Sequence, residues 1–143
     1  MAYRTYDARA LELLLPHRYP FLLVDRIDVV EPGHHVVGTK RLTSGEWWID
    51  TNAPSPIAHT LVLEALAQTG GALIADLARG MSGAVAYFLV ADRVRCRRGA
   101  GVGEELRLDV SLYQWRRGVC RTRGTATVEG TVVLTAELTA IVR

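Results

Sequence analysis

Residues 58–78 form the longest apolar stretch of the chain, and they limit the folds that it can adopt. Apolar side chains occur almost all round a helix drawn over these residues, so other elements must enclose that helix. Six small residues would let a sheet approach the helix closely: Ala65, Ala67, Gly70, Gly71, Ala72 and Ala75. Arg79 and Gly80 follow and are expected to end it. The stretch therefore predicts a central helix wrapped by strands.

The other patterns predict a short first helix and a series of strands. Asp7 is placed to cap a helix over residues 8–15, which Pro16 ends. Alternating and β-branched runs predict strands over 22–30, 35–42, 84–97, 106–113, 119–128 and 132–142, with a long loop over 43–56. No strand–helix–strand alternation occurs, so we expect an α+β fold in which an antiparallel sheet curls round one helix. Residues 1–143 are expected to form a single domain.

Composition excludes several classes of function. The formal net charge of +2 is too small to indicate nucleic acid binding by itself. Cys96 and Cys120 lack the spacing of a metal site or a disulfide framework, which predicts two reduced thiols in a cytoplasmic protein. No uninterrupted apolar run reaches the roughly 20 residues of a membrane span, and the N-terminus has no signal pattern. We therefore expect a soluble protein.

Glu64 is the one carboxylate within residues 61–68 of the apolar stretch. Removing an ionised carboxylate from water costs several kcal/mol or more, so such a group is usually paired, protonated or catalytic. Gln68 lies four residues on, hence on the same helical face, where its amide can hold the carboxyl group. An acid with an oriented amide beside it predicts acid–base chemistry.

Three segments of the chain carry a resemblance to a known family. Residues 15–26 read LPHRYPFLLVDR, residues 63–68 read LEALAQ, and residues 87–98 combine Tyr87 and Phe88 with a basic patch. This pattern closely resembles the FabZ-type 3-hydroxyacyl-[acyl-carrier-protein] dehydratases. The resemblance implies the hot-dog fold, a long helix wrapped in an antiparallel sheet, with dimers formed through the sheet edges. It also implies a reacting pair made of a histidine and an acid, and Glu64 stands at the position of the acid.

The family's histidine has no counterpart at its expected place. Asp50-Thr51-Asn52-Ala53 stands where the family has Gly-His-Phe-Pro, so that Thr51 replaces the histidine. Dehydration needs a base for the proton next to the carbonyl and an acid for the departing hydroxyl. A threonine hydroxyl does not ionise near neutral pH, and losing a general base typically costs about 10²–10⁴-fold in rate. A homodimer of this chain is thus expected to be a poor dehydratase.

Three solutions to this loss stay open. The family builds each site across a dimer interface, so a homologous partner subunit that retains the histidine would complete the site in a heterodimer. Alternatively, His59 at the helix start takes the role of the base, although an exposed helix-entry histidine would look the same in sequence. Finally, hot-dog thioesterases use one helix carboxylate, so the chain would hydrolyse acyl thioesters. A catalytically silent scaffold subunit that binds acyl carrier protein is the non-enzymatic alternative.

Further residues are candidates for binding substrate or carrier. The helix start at Thr60 and Leu61 is expected to offer backbone N–H groups to a thioester oxygen. Trp48 is a candidate for lining an acyl tunnel, or else a core or interface aromatic. The resemblance implies that Arg95, Arg97 and Arg98 meet the phosphopantetheine arm and acidic surface of an acyl carrier protein. His17 is expected to be structural, and Asp25 is expected to be a structural residue at a strand end, paired with an arginine. No metal or cofactor is expected beyond the carrier's phosphopantetheine.

Overall fold

The computed structural model describes residues 2–50 and 56–143. Thr51 and its neighbours through Ser55 lie outside the described residues. In chain order the elements are β1 (Arg4–Tyr6), α1 (Ala8–Leu14), β2 (Arg26–Glu31), β3 (His35–Arg41), α2 (His59–Leu77), β4 (Ala86–Cys96), β5 (Glu105–Arg116), β6 (Val119–Val128) and β7 (Thr131–Val142).

These strands form one antiparallel sheet in the order β1-β2-β3-β5-β6-β7-β4. One row of side chains from β2, β3, β5, β6 and β7 faces α2, and the buried apolar residues of these strands and the helix make a continuous core. An antiparallel sheet round one helix is what the helix pattern and the strand runs predicted, and it is the hot-dog arrangement that the resemblance implies.

Close approach between α2 and the sheet depends on glycine at two places. A Cβ atom on Gly38 of β3 would lie 2.5 Å from the Thr69 hydroxyl oxygen, which is closer than any real contact. A Cβ atom on Gly124 of β6 would lie 3.2–3.5 Å from three carbon atoms of the Leu66 side chain. The helix therefore sits closer to these strands than any larger residue would allow.

Most predicted boundaries agree with the structure, and the clearest differences lie before β2. The Asp7 side chain caps α1 by accepting a hydrogen bond from the Ala10 N–H, as predicted. Strand β1 was not predicted, because three residues are too few for a recognisable alternation. The second strand begins at Arg26 and not at residue 22, since the Leu23 N–H binds the Gln68 side chain instead of a neighbouring strand.

The prediction that α2 is enclosed on all sides is wrong for the single chain. One face packs on the sheet and is buried, whereas Thr60 and Glu64 lie on a face that the sheet does not cover. The side chain of Glu64 is 46% exposed. By length and composition α2 would be able to cross a membrane, but 56% of its most apolar window is buried inside the fold, as in a core helix.

Strand β4 forms one edge of the sheet, and within the described part of the chain it pairs with β7 alone. Every one of its residues is exposed, although five of them are large and apolar: Tyr87, Phe88, Leu89, Val90 and Val94. The strand thus presents unpaired backbone groups and an apolar surface side by side, next to the open face of α2.

Candidate active site

Gln68 connects the two sequence motifs that carry the resemblance. Its side chain is 2% exposed, and its Oε1 atom accepts a 2.8 Å hydrogen bond from the Leu23 N–H. Its Nε2 atom donates to the Phe21 carbonyl and to Glu64 Oε1, at 2.9 Å in each case. A backbone N–H only donates and a carbonyl only accepts, so these two partners determine which end of the amide is nitrogen. Gln68 therefore always presents a donor to Glu64.

This orientation makes the two oxygens of Glu64 unequal. Oε1 receives the Gln68 hydrogen bond and lies 3.4 Å from His17 Nε2. Among the described residues, none donates a hydrogen bond to Oε2. One oxygen is thus held by the protein, while the other is left for a molecule that enters the site.

Glu64 lies in a groove between α2 and the edge strand. The groove encloses about 220 Å³, and α2 contributes Thr60, Leu63, Glu64 and Ala67 to its wall. The opposite wall is apolar and comes from Phe88, Leu89, Val90 and Ala91 of β4 with Leu138 of β7. Glu64 is therefore the one ionisable side chain in an otherwise largely apolar groove.

A second groove of about 690 Å³ adjoins the first and shares Ala67 and Phe88 with it. His17, Arg18, Glu12 and Gln68 give it a polar part. Beyond them the lining is apolar or small, from α1, the later turns of α2 and the start of β4. Together the two grooves combine a carboxyl group with an extended apolar surface, as a site for an acyl chain requires.

The structure does not bring His59 to Glu64. The two residues are five positions apart on α2 and hence rotated by about 140° from one another. His59 Nε2 instead lies 2.9 Å from the Arg98 carbonyl, which can only accept, so this nitrogen carries a proton. His59 ties the start of α2 to the loop after β4.

The backbone at the start of α2 is partly occupied. The Leu61 N–H donates to the Ala58 carbonyl at 2.9 Å, so this group is not free to bind a thioester oxygen. No side chain caps the helix at Ala58, and the described residues offer the Thr60 N–H no acceptor. Of the two N–H groups expected to bind a thioester oxygen, that of Thr60 is the one without an acceptor among the described residues.

Two tryptophans of the loop after β3 pack near the first motif. Trp48 is half-buried against the core, and its Nε1 atom has no hydrogen-bond partner among the residues that the structure describes. Trp47 donates to the Pro20 carbonyl and contacts Phe21 edge-on, with 5.8 Å between ring centroids. Trp48 does not line either groove beside Glu64, so a contact with substrate remains a prediction.

The three predicted carrier-binding arginines differ in their surroundings. Arg95 and Arg97 are exposed, and their side chains have no partner in the described part of the chain. Arg98 instead pairs with Glu104 at 2.7 Å and donates to the Gly99 carbonyl. The Gly101 N–H and then the Arg98 guanidinium hold the pKa of Glu104 below its ordinary value. Arg98 thus helps to stabilise its own loop, and the free cations are Arg95 and Arg97.

Asp25 was expected to pair with an arginine side chain, and the structure corrects this. Its carboxylate accepts a 2.7 Å hydrogen bond from the Arg41 backbone N–H and lies 3.6 Å from Lys40 Nζ. The predicted structural role at the strand end holds, but the cationic partner is lysine.

Comparison with known proteins agrees with this geometry. A family model described as a FabA-like domain matches residues 15–137. The FabZ 3-hydroxyacyl-[acyl-carrier-protein] dehydratase of Syntrophotalea carbinolica is 45% identical over 130 residues, which cover 90% of this chain and 88% of the relative. The chain belongs to the FabZ family. The residues that the family model matches include both of the FabZ motifs that Gln68 joins.

Solved structures support the fold of this FabZ family member. The dehydratase heterocomplex ApeI:P from Xenorhabdus doucetiae aligns with a TM-score of 0.76 at 20% identity, over 92% of this chain and 89% of that one. A hypothetical thioesterase from Streptococcus pneumoniae, solved with coenzyme A, aligns with a TM-score of 0.64 at 15% identity, over 82% and 85%. At these identities the likeness establishes the hot-dog fold alone.

Sequence reasoning placed His17 among the structural residues, yet the structure places its ring beside Glu64. The available signal was its position in the first motif, which also provides the backbone partners of Gln68. Spacing alone did not reveal this contact, because His17 and Glu64 are 47 residues apart and meet only through the packing of the first motif on α2.

Proposed function

We propose that this chain is one subunit of a 3-hydroxyacyl-[acyl-carrier-protein] dehydratase and supplies Glu64 as its acid. A homologous subunit that retains the histidine supplies the base across the interface. The observation that carries this proposal is the position of Glu64: it lines an apolar groove beside the edge strand, and only its Oε1 atom accepts a hydrogen bond from the described residues. Family membership supports the reaction class, since the relatives are named as dehydratases of this kind.

In the proposed elimination, the partner's histidine takes the proton next to the thioester carbonyl. The electron pair of the broken C–H bond forms the new double bond. The bond from C3 to the hydroxyl oxygen breaks, and Glu64 donates its proton from Oε2 to the departing hydroxyl, which leaves as water. Gln68 holds Oε1 throughout and so leaves Oε2 to exchange the proton with the substrate. The reaction requires no metal or redox cofactor, and the substrate is carried on the phosphopantetheine of the carrier protein.

The unpaired edge supports the proposed assembly. Strand β4 exposes apolar side chains and free backbone groups along one side of the Glu64 groove. Pairing this strand with that of a second hot-dog subunit would extend the sheet and cover the groove. Residues from the partner would then complete the wall that this chain lacks. The solved neighbour from Xenorhabdus doucetiae is by its title a dehydratase heterocomplex, which gives the arrangement a precedent.

Carrier protein is the proposed partner of the exposed arginines. Arg95 and Arg97 have no anionic partner within the described chain, so they are free to meet an acidic surface or a phosphate. The Thr60 N–H is the remaining candidate donor to the thioester oxygen, and Trp48 remains a candidate tunnel residue. We further propose that residues 1–143 act as one hot-dog domain in the cytoplasm and serve polyketide, polyene or fatty-acid-like biosynthesis.

The decisive experiment restores the missing base within this chain. Replacing residues 50–53 with Gly-His-Phe-Pro should raise turnover of a 3-hydroxyacyl carrier protein to the enoyl product by about 10²–10⁴-fold over the wild-type chain. Adding Glu64→Gln to the same variant should abolish the gain, whereas Glu129→Gln at an exposed turn should not. Mass spectrometry of the carrier-bound product measures the outcome, because dehydration lowers its mass by that of one water molecule.

A second measurement covers the case in which the grafted loop disturbs the fold. Native mass spectrometry of the complex purified from its source should show this chain bound to a second hot-dog subunit. Glu64→Gln in that complex should abolish dehydration, and full turnover by the variant complex would contradict the proposal in favour of a silent scaffold. Release of free acid from a saturated acyl thioester by the chain alone would instead favour the thioesterase alternative, in which the free oxygen of Glu64 activates water.

A further inference from the structure

The imidazole of His17 lies against the held oxygen of Glu64. Its Nε2 atom is 3.4 Å from Glu64 Oε1, the same oxygen that accepts the Gln68 hydrogen bond. The His17 side chain is 34% exposed and that of Glu64 46%, so the contact lies at the rim of the site and not in the core. Oε1 thus has two nitrogen neighbours, and Oε2 has no hydrogen-bond donor among the described residues.

The second ring nitrogen determines the tautomer of the neutral His17 ring. Nδ1 is buried and has no hydrogen-bond partner in the described part of the chain. A proton on Nδ1 would be a buried donor without an acceptor, which folded proteins rarely tolerate. A neutral ring therefore carries its proton on Nε2, where an acceptor oxygen is within reach.

The loop that carries His17 is held rigidly by its neighbour. The Arg18 guanidinium donates to the carbonyls of Glu12, Leu15 and His17, at 2.7, 2.9 and 2.7 Å. These three bonds join the end of α1 to the first motif, and they occupy the guanidinium with backbone groups. The position of the His17 ring is therefore a property of the packed first motif.

We infer that His17 is a positioning residue, which acts as an Nε2–H donor to Glu64 and not as the missing base. Gln68 and His17 together hold Oε1, and so they select Oε2 as the oxygen that exchanges a proton with the substrate. His17 is poorly suited to be the base, because a free Nε2 lone pair would require the proton on the buried Nδ1. This inference deepens the proposed dehydratase function and rests on it for its effect on rate.

The ring's tautomer tests the inference independently of turnover. Long-range ¹H–¹⁵N correlation spectra of the wild-type protein at pH 7.5 resolve the nitrogens of its four histidines, and the spectrum of His17→Gln assigns the His17 signals. We expect the Nε2–H tautomer, with an Nε2 shift that moves in Glu64→Ala and stays in place in Glu129→Ala. An Nδ1–H tautomer would overturn the inference.

Turnover of the complex, or of the chain that carries Gly-His-Phe-Pro at 50–53, supplies the second readout. His17→Gln keeps an N–H donor near the position of Nε2 and should retain most of kcat, with an unchanged pH–rate profile. His17→Ala removes the donor and should lower kcat about 10- to 100-fold at similar KM. Loss of the acidic limb of the pH–rate profile in His17→Gln, with kcat as low as in His17→Ala, would identify His17 as a base instead. If Glu64→Gln remains active, the proposed function fails, whereas the tautomer result still stands.

Discussion

Gln68 Nε2 donates a 2.9 Å hydrogen bond to Glu64 Oε1, one helical turn away on α2. The same amide is anchored by backbone groups of Phe21 and Leu23, so its direction cannot reverse. The first motif of the chain thereby determines how the carboxyl group on the helix is presented. The proposed roles of Glu64 as the acid and of His17 as a positioning residue both depend on this geometry.

Gln68→Glu should impair activity and stability together. The wild-type amide donates hydrogen bonds to the Phe21 carbonyl and to Glu64. An ionised carboxylate can only accept, so the new side chain would face two other acceptors with no proton between them. We expect a loss of about 1–3 kcal/mol in the free energy of unfolding for each buried group left unsatisfied. Urea denaturation measures this loss. Gln114→Glu on the exposed surface is the control, and equal stability of the two variants would contradict the anchoring role.

Gly38→Ala should destabilise the fold through the contact between β3 and α2. The added methyl group would lie 2.5 Å from Thr69 Oγ1 in the undisturbed structure, so strand or helix must shift. Overpacking of this kind costs about 1–3 kcal/mol in the free energy of unfolding. Gly101→Ala is the matched control, because a Cβ atom there meets nothing within 4 Å. Thermal unfolding of both variants checks the prediction, which fails if Gly38→Ala melts no earlier than the control.

Glu104 should contribute to the acid sensitivity of the loop after β4. Its pKa lies below the ordinary 4.5 in the folded protein because the Gly101 N–H and Arg98 stabilise the carboxylate. The stabilising contribution is therefore fully present above pH 4.5 and is lost as the pH falls through the lower, folded pKa. Glu104→Gln should be less stable than the wild type at pH 7, and the difference should shrink as the pH is lowered below 4.5. Urea midpoints measured from pH 7 to pH 3 test this, and a constant difference would contradict it.

The two cysteines should differ strongly in reactivity. Burial raises the pKa of the Cys120 thiol to about 11, whereas Cys96 is exposed on β4. Only the thiolate reacts, so Ellman's reagent at pH 8 should label one thiol per chain quickly and the second only on unfolding. Cys96→Ser should remove the fast phase, and fast labelling of that variant would show that Cys120 is accessible. If pairing through β4 covers Cys96 in the assembled complex, the fast phase should also slow on assembly.

Periodicity and composition were sufficient for the architecture. The apolar stretch with its small residues predicted α2, alternating runs predicted the long strands, and Asp7 predicted the start of α1. These signals are local, since each depends on which side chains share one face of one element. The pairing of Glu64 with Gln68 is local as well, because residues four apart on a helix are neighbours in any fold.

Contacts between distant segments were beyond the reach of the sequence. That His17 lies beside Glu64, and that His59 lies beside the Arg98 carbonyl, both follow from the packing of separate elements. The exposure of Glu64 was also mispredicted, because an apolar helix looks the same whether a sheet covers it alone or a second subunit covers the rest. The amino-acid order determined which faces are apolar, and only the tertiary structure decided which of those faces remain open, since burial depends on what packs against them.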